Sequence, residues 1–362
     1  MKRFLWMAAV LLIVATSAKA QKITTVDTDG NVIPLVSVMT ESGVMIGTTD
    51  IHGVLADVKG AKKVAVSHVA FKPQVVNVAT LQDGKIVMEE VDYSLAEVVA
   101  KPKPYLYMEY YFRGFSYIED SLRTYAAGII PVIHEIQDNY KGKTRTLWSY
   151  GGAANKALSW NVQSLEFMAE KGARQAATPI MIAAQKNPKF SDYYKVSVEQ
   201  QDDKHWVIQN PEGIVGHFHL DDGLYRGTID GSKMQIYANK ANGEDRMARS
   251  REEKDYDYQY SEVFKIDEDG NVPSGNLVMQ LDHWALDTKK GRRITIIYLY
   301  AADKGYMDED EFKARSKELN KGYAGDMPLK ELEAYEQAHN IPPLSPVQKE
   351  TINALKKKTG EK

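Results

Sequence analysis

Residues 26–34 read VDTDGNVIP, and residues 266–274 read IDEDGNVPS. The core Asp-x-Asp-Gly-Asn-Val occurs twice, so it is a calcium loop, a duplicated domain or a turn between strands. Spacing decides among these. An EF-hand calcium loop needs oxygen donors at its first, third and fifth positions, glycine at the sixth and a bidentate Glu at the twelfth. Counted from Asp27, the glycine comes early at Gly30, the fifth position is Asn31 and the twelfth is Val38. Counted from Asp267, the equivalents are Gly270, Asn271 and Val278. Both copies fail in the same way, and the residues after them do not continue to match, which argues against duplication. Asp and Asn bond locally to the backbone, and Gly accepts positive φ. Asp27, Asp29 and Gly30, and likewise Asp267, Asp269 and Gly270, are therefore expected to turn the chain between strands without holding an ion.

Working outward from the first copy, residues 22–91 fall into short β-branched runs separated by turn signals. Ile33 to Met39, Val54 to Val58, Val64 to Val69, Val75 to Val78 and Ile86 to Met88 are the runs. Asp29-Gly30-Asn31, Ser42-Gly43, the turn from Asp50 to Gly53, and Asp83-Gly84 are the separators. Runs of this length and spacing predict a small β-sandwich.

The ordered series VDTDGNVIPLVSV, IGTTDIHGVL, VAVSHVAFKPQVV and YSLAEVVAKPK resembles the carboxypeptidase regulatory-like domain. The matching features are the Asp-x-x-Gly turn from Asp27, the Thr49-Asp50-x-x-Gly53 turn and the closing Leu95, Glu97, Val98 and Val99; Ala70-Phe71 stands where that family has Gly-Tyr. The resemblance spans about a fifth of the chain. It implies a transthyretin-like (prealbumin-like) β-sandwich of the kind frequent in Gram-negative envelope proteins, where the module is an appendage and carries no catalytic residue.

Lys101-Pro102-Lys103-Pro104 reads as a linker, because two prolines remove donors and favour an extended chain. After it, YLYMEYYFRGFSY (105–117) reads as one long strand, with Tyr105, Tyr107 and Glu109 on one face and Leu106, Met108 and Tyr110 on the other. Arg113 is placed to pair with Glu109. Residues 153–187 are rich in helix formers and predict two helices, with a break at Gly172 and a kink or new start at Pro179. Strands return from about 193: YKVSVEQ, HWVIQN, GIVGHFHL, LYRGTID, KMQIYAN, YSEVFKID, NLVMQLDHWALD and RRITIIYLYAAD, joined by Asp/Asn-Gly turns such as Asp230-Gly231 and Asn242-Gly243. Residues 308–357 read as helical, with Asp308 as a cap and a frayed end at LKKKTGEK. The expected fold is β-dominated α+β: a sandwich over 21–100, a linker over 101–104, an antiparallel-sheet domain over 105–305 with its helical insertion, and a helical C-terminal tail over 306–362.

Residues 1–20, MKRFLWMAAVLLIVATSAKA, have a basic start, a short apolar run and an Ala-x-Ala end, the pattern of a cleaved signal peptide. Removing them takes three basic residues and no acidic one, so 46 basic against 49 acidic become 43 against 49, a net charge of −6. A mildly acidic, mixed surface gives no electrostatic footprint for nucleic acid. No transmembrane segment is expected in the mature chain. With no cysteine, thiol nucleophiles, zinc–thiolate sites and disulfides are excluded.

No His-Glu-x-x-His, Gly-x-Ser-x-Gly, phosphate-loop or dinucleotide motif is present, so neither catalytic residues nor a cofactor are expected. The best metal-ligand candidates are His217 and His219, two apart on one strand and so on one face, with His283 and Asp282 from a later strand. The expected function is that of an exported, periplasmic or outer-membrane-associated, non-enzymatic binding or adapter protein for an envelope protein, a glycan or an apolar ligand. The alternatives are a periplasmic carrier of a lipid or other apolar ligand, and a metal-dependent hydrolase using His217 and His219.

Overall fold

The structure is a computed structural model that describes residues 21–91, 103–137, 143–149, 178–241, 257–319 and 329–359, except 269, 274 and 289, together with 165, 168, 169, 171–173 and 176. The signal-peptide expectation, the closing Leu95–Val99 match, Lys101-Pro102, Asn242-Gly243 and Asp269 lie outside these residues. The fold is β-dominated α+β, with several antiparallel sheets and helices.

Residues 23–87 form two small sheets. One has the order β4 (Val54–Leu55), β1 (Ile23–Val26), β7 (Lys85–Val87), and the other β3 (Met45–Thr48), β2 (Ser37–Thr40), β5 (Lys63–His68), β6 (Phe71–Asn77). Ile23, Val38, Val64, Val66 and Ile86 from the two sheets share one core. The turns that separate the strands obey one local rule. At Asp27 the Oδ1 atom accepts from the amides of Asp29 (2.9 Å) and Asn31 (2.8 Å), and Gly30 takes φ +89°. At Asp50, Oδ1 accepts from His52 and Val54, both at 2.9 Å, and Gly53 takes φ +68°. Asp267 repeats the arrangement with Asn271 (2.7 Å) and Gly270 at φ +76°. The same carboxylate geometry thus closes the turn after β1, the turn between β3 and β4, and a turn between two strands of a different sheet.

That larger sheet has ten strands, and every neighbouring pair is antiparallel. In spatial order they are β10 (Lys143–Ser149), β9 (Ser121–Gln137), β8 (Tyr105–Ile118), β17 (Gly291–Met307), β16 (Leu277–Thr288), β15 (Asp257–Lys265), β14 (Leu224–Asp230), β13 (Gly213–Asp221), β12 (His205–Asn210) and β11 (Ser197–Gln200). Two meanders, β8–β10 and β11–β17, are zipped together by the β17–β8 pair, which runs from Arg293↔Ile118 to Met307↔Tyr105. The aromatic strand β8 is buried on both faces: Leu106, Met108, Tyr110 and Phe112 belong to one core, Tyr111, Phe115 and Tyr117 to another.

The first of these faces is covered by helices. Leu165, Ala169, Ala173 and Ala176 pack on it, as do α1 (Ile180–Lys186), α2 (Pro188–Tyr194) and α3 (Gly231–Ala241). Three expectations are corrected here. Gly172 is not a break; it lies in helical backbone, where an added Cβ would come within 3.0 Å of Leu299 and 3.2 Å of Gln280, so the glycine serves close helix–sheet approach. Residues 194–196 are not strand, because α2 runs to Tyr194 and ends at Lys195 in the left-handed conformation. KMQIYAN (233–239) is helix rather than strand: Asp230 Oδ1 accepts from the Lys233 amide at 2.9 Å and from the Ser232 hydroxyl, an N-cap where a hairpin turn was expected.

The opposite face is covered by the sandwich and by C-terminal helices. The sandwich is bonded to the sheet through Met45 N to Asp120 O (3.0 Å) and the Lys59–Asp120 ion pair (3.2 Å). After β17 come α4 (Glu309–Leu319), α5 (Leu329–Ala338) and α6 (Pro346–Thr359). Reciprocal capping boxes start α4 (Asp308 with Glu311) and α6 (Ser345 with Gln348). Leu332, Ile341, Val347, Ile352 and Leu355 join the core of the sandwich and sheet, and the first residues of LKKKTGEK continue α6 as far as Thr359. Each buried aliphatic contributes on the order of 2 kcal/mol.

At the centre of this face, Arg113 is 3% exposed. It does not pair with Glu109; its guanidinium meets Glu336 of α5, with Nη2 at 2.7 Å and Nε at 3.2 Å from Oε1, and Nη1 donates to the Pro342 carbonyl at 2.6 Å. Glu109 instead accepts from the hydroxyls of Tyr107 and Tyr335. Removing one partner of a buried pair leaves an uncompensated charge. Glu336→Gln is expected to destabilise the protein by about 3–5 kcal/mol in denaturant titration. Gly43→Ala should also destabilise, because Gly43 has φ +80° and its Cβ would collide with Thr351 Oγ1 of α6.

Candidate functional site

Where sandwich, sheet and C-terminal helices meet, they leave a small cleft. The sandwich hairpin β5–β6 supplies Ser67, His68 and Phe71, the sheet supplies Arg113, Tyr298 and Tyr300, and the C-terminal segment closes it with Pro342, Pro343 and Gln348. The cleft has room for roughly one or two water-sized groups. His68 is 7% exposed, and its Nδ1 accepts from the Ala70 amide at 3.2 Å. Burial, with Arg226 adding to it, lowers its pKa to about 3, so the ring is neutral. With Nδ1 accepting, the proton sits on Nε2, which has no partner. Arg113 lines the same cleft, its guanidinium carbon 5.5 Å from the Tyr111 ring centre and 5.7 Å from that of Tyr300.

The histidines singled out in the sequence do not converge. β13 carries His217 and His219, and β16 carries His283, with β14 and β15 between them. At about 4.8 Å per strand the separation is far beyond metal-ligand reach. His283 is buried, and neither ring nitrogen has a hydrogen-bond partner. Among the described residues no group of three or more His, Asp or Glu side chains could hold a metal ion. His217 and His219 instead line a seam between sheet and sandwich. His217 lies against His52 of the Asp50–Gly53 turn, ring centres 6.0 Å apart, and His219 stacks on His205 at 6.2 Å. Arg226, paired in register with His219, reaches across the seam to Glu90 at 2.5 Å.

The helix-covered face holds two buried acids that sequence reading did not single out as a pair. Glu262 accepts from the Tyr260 hydroxyl (2.7 Å), the Tyr225 hydroxyl (3.2 Å) and the Ile180 amide that opens α1 (2.8 Å). Asp282 accepts from Tyr258 (2.9 Å) and Gln280 (2.5 Å) beneath Gly172. Burial raises Glu262 to about 7 and Asp282 to about 6 despite these bonds. The Glu262 bond to Ile180 pins α1 to the sheet, whereas the bonds of Asp282 stay within the sheet; the alternation YQYSE (258–262) was the available signal, placing two tyrosines and an acid on one face.

No family model matches the chain, and no curated protein sequence matches it. Among solved structures, one described as "Lipid-protein interactions in lipovitellin" is similar at 10% identity with a TM-score of 0.27, over 57% of this chain and 26% of that one. This chain therefore spans about a quarter of that one, and likeness at this level assigns it neither fold nor function.

The buried groups set opposite pH dependences. Burial lowers His219 and His283 to about 4, Arg226 and His205 adding to the effect at His219 and Arg292 at His283. From pH 6.5 downward the unfolded chain binds protons that these rings refuse, so stability falls with falling pH. Each ring costs about 3 kcal/mol by pH 4. Glu262 acts the other way: its folded pKa lies above the unfolded value, so its contribution is complete below about pH 4.5 and lost as pH rises to 7. Glu262→Gln is expected to remove a loss of about 3 kcal/mol between pH 4.5 and 8. His283→Leu should flatten the decline between pH 6.5 and 4. Urea titrations across pH measure both.

Proposed function

We propose that the chain is an exported, non-enzymatic cell-envelope protein that binds a partner or ligand, with the carboxypeptidase regulatory-like module at its N-terminus. The observation that carries this reading is the donor-lined cleft where the three units meet. Binding sites favour such junctions, where an apolar wall and a few convergent polar groups coincide. Export rests on the pattern of residues 1–20, and the two-sheet arrangement of residues 23–87 is consistent with the resemblance of its motifs. Among the described residues no helix is long and apolar enough to cross a membrane.

The lining favours an occupant that presents oxygens, such as a partner protein or a glycan, over a purely apolar ligand. A lipid carrier would hold its cargo between helices and sheet, but there Phe112, Leu165, Met181, Phe218 and Ala173 pack against one another. A hydrolase at His217 and His219 gains no third ligand from His283.

Thermal-shift screening of the full chain against envelope-derived peptides, soluble glycans and fatty acids tests this, run beside Pro73→Trp, which narrows the cleft. Saturable stabilisation by an oxygen-bearing ligand, lost in Pro73→Trp, is the expected result. Stabilisation by fatty acids alone, indifferent to Pro73→Trp, would favour the carrier reading.

A further inference from the structure

The spare polar groups of the junction cleft have one character. His68 presents Nε2–H, because Nδ1 is already occupied as an acceptor. Arg113 Nη2 lies 2.7 Å from Glu336 Oε1 without an N–H aligned on it, which leaves donor capacity. Gln348 uses its Oε1 to accept from the Ser345 amide at 3.0 Å, so its side-chain NH2 is the end left over. The Tyr298 hydroxyl meets Ser37 Oγ at 3.4 Å and the Tyr300 hydroxyl bonds Arg113, so neither is spare. Of the acceptors nearby, Glu336 takes Arg113 and Tyr111 on its Oε1, and the Pro342 carbonyl takes Arg113. A buried donor without a partner carries a desolvation cost that is recovered when an acceptor arrives.

We propose that the junction cleft is a carboxylate-binding site, in which one carboxylate group takes hydrogen bonds from His68 Nε2–H, Arg113 and the Gln348 amide. This deepens the binding reading above and rests on the same cleft. A carboxylate fits because it is acceptor-only when ionised and offers about four lone-pair sites on two small oxygens. Planar guanidinium recognition suits the same geometry. The carboxylate can come from a free small acid or from the end of a peptide chain, and both sources present the same group to the site.

The test tracks the backbone amide signals of Ala70 and Gln348 by nitrogen–proton NMR of the full chain at neutral pH and constant ionic strength. The titrants are acetate, and glycylglycine with its C-terminus free or amidated. Gln348→Glu keeps the cap on Ser345 while replacing the amide donors with a like charge, and His68→Phe removes the second donor. The expected result is a saturable shift in the wild-type protein, weakened at least tenfold in Gln348→Glu and, where it folds, in His68→Phe. Free glycylglycine binding tenfold tighter than acetate, with the amide inert, marks a chain end as the source; comparable affinities mark a small acid. Shifts that fail to saturate with either probe, or that saturate equally in Gln348→Glu, overturn the assignment. The binding reading itself would survive that outcome if the ligand screen still found stabilisation that Pro73→Trp removes.

Discussion

The buried ion pair between Arg113 and Glu336 is the constraint around which the outer face of the sheet is organised. A guanidinium in the middle of a long, apolar strand is tolerable only with a charged partner beside it. That partner arrives 223 residues later, on α5. The requirement fixes where the C-terminal helices sit, and their position determines what the sandwich packs against. Ser37 approaches Tyr298 at 3.4 Å, and Gly43 approaches Thr351 on α6. The sandwich is therefore held by contacts to both sheet and helices. The junction cleft is what remains where these three surfaces fail to close completely.

The other face of the sheet obeys a different logic. There the helices are small-residue surfaces, Ala169, Ala173 and Ala176 with Gly172, and they approach closely enough to bury acids beneath them. Glu262 and Asp282 sit in a dry layer where tyrosine hydroxyls and one helix-opening amide replace water. The arrangement bonds α1 to the sheet but favours the protonated acids, so it costs stability as pH rises.

How much of this was legible depends on how local each determinant is. The turns at Asp27, Asp50 and Asp267 could be read because an Asp side chain, a nearby glycine and two amides settle them within five residues. Strand β8 was legible for the same reason, its alternation being continuous. Strand β9 was not singled out, since Ala126-Ala127-Gly128 and Pro131 lower β propensity; pairing with β8 along its length overrides that preference. The segment 233–239 has both alternation and helix formers, and the Asp230 cap tips it to helix. The pairing of Arg113 with Glu336, the separation of His283 from His217 and the donor character of the cleft depend on strand order and long-range packing. No local pattern encodes those.

The central claim is that sandwich, sheet and C-terminal helices form one cooperative body around Arg113. Native-state hydrogen exchange in increasing denaturant measures this most directly, by comparing amides of β5 in the sandwich with those of β8 and β17 in the sheet. A single cooperative body requires the slowest amides of all three strands to converge on the same opening free energy. Persistent protection of β5 after β8 and β17 have lost theirs would show that the sandwich folds independently and would contradict the claim.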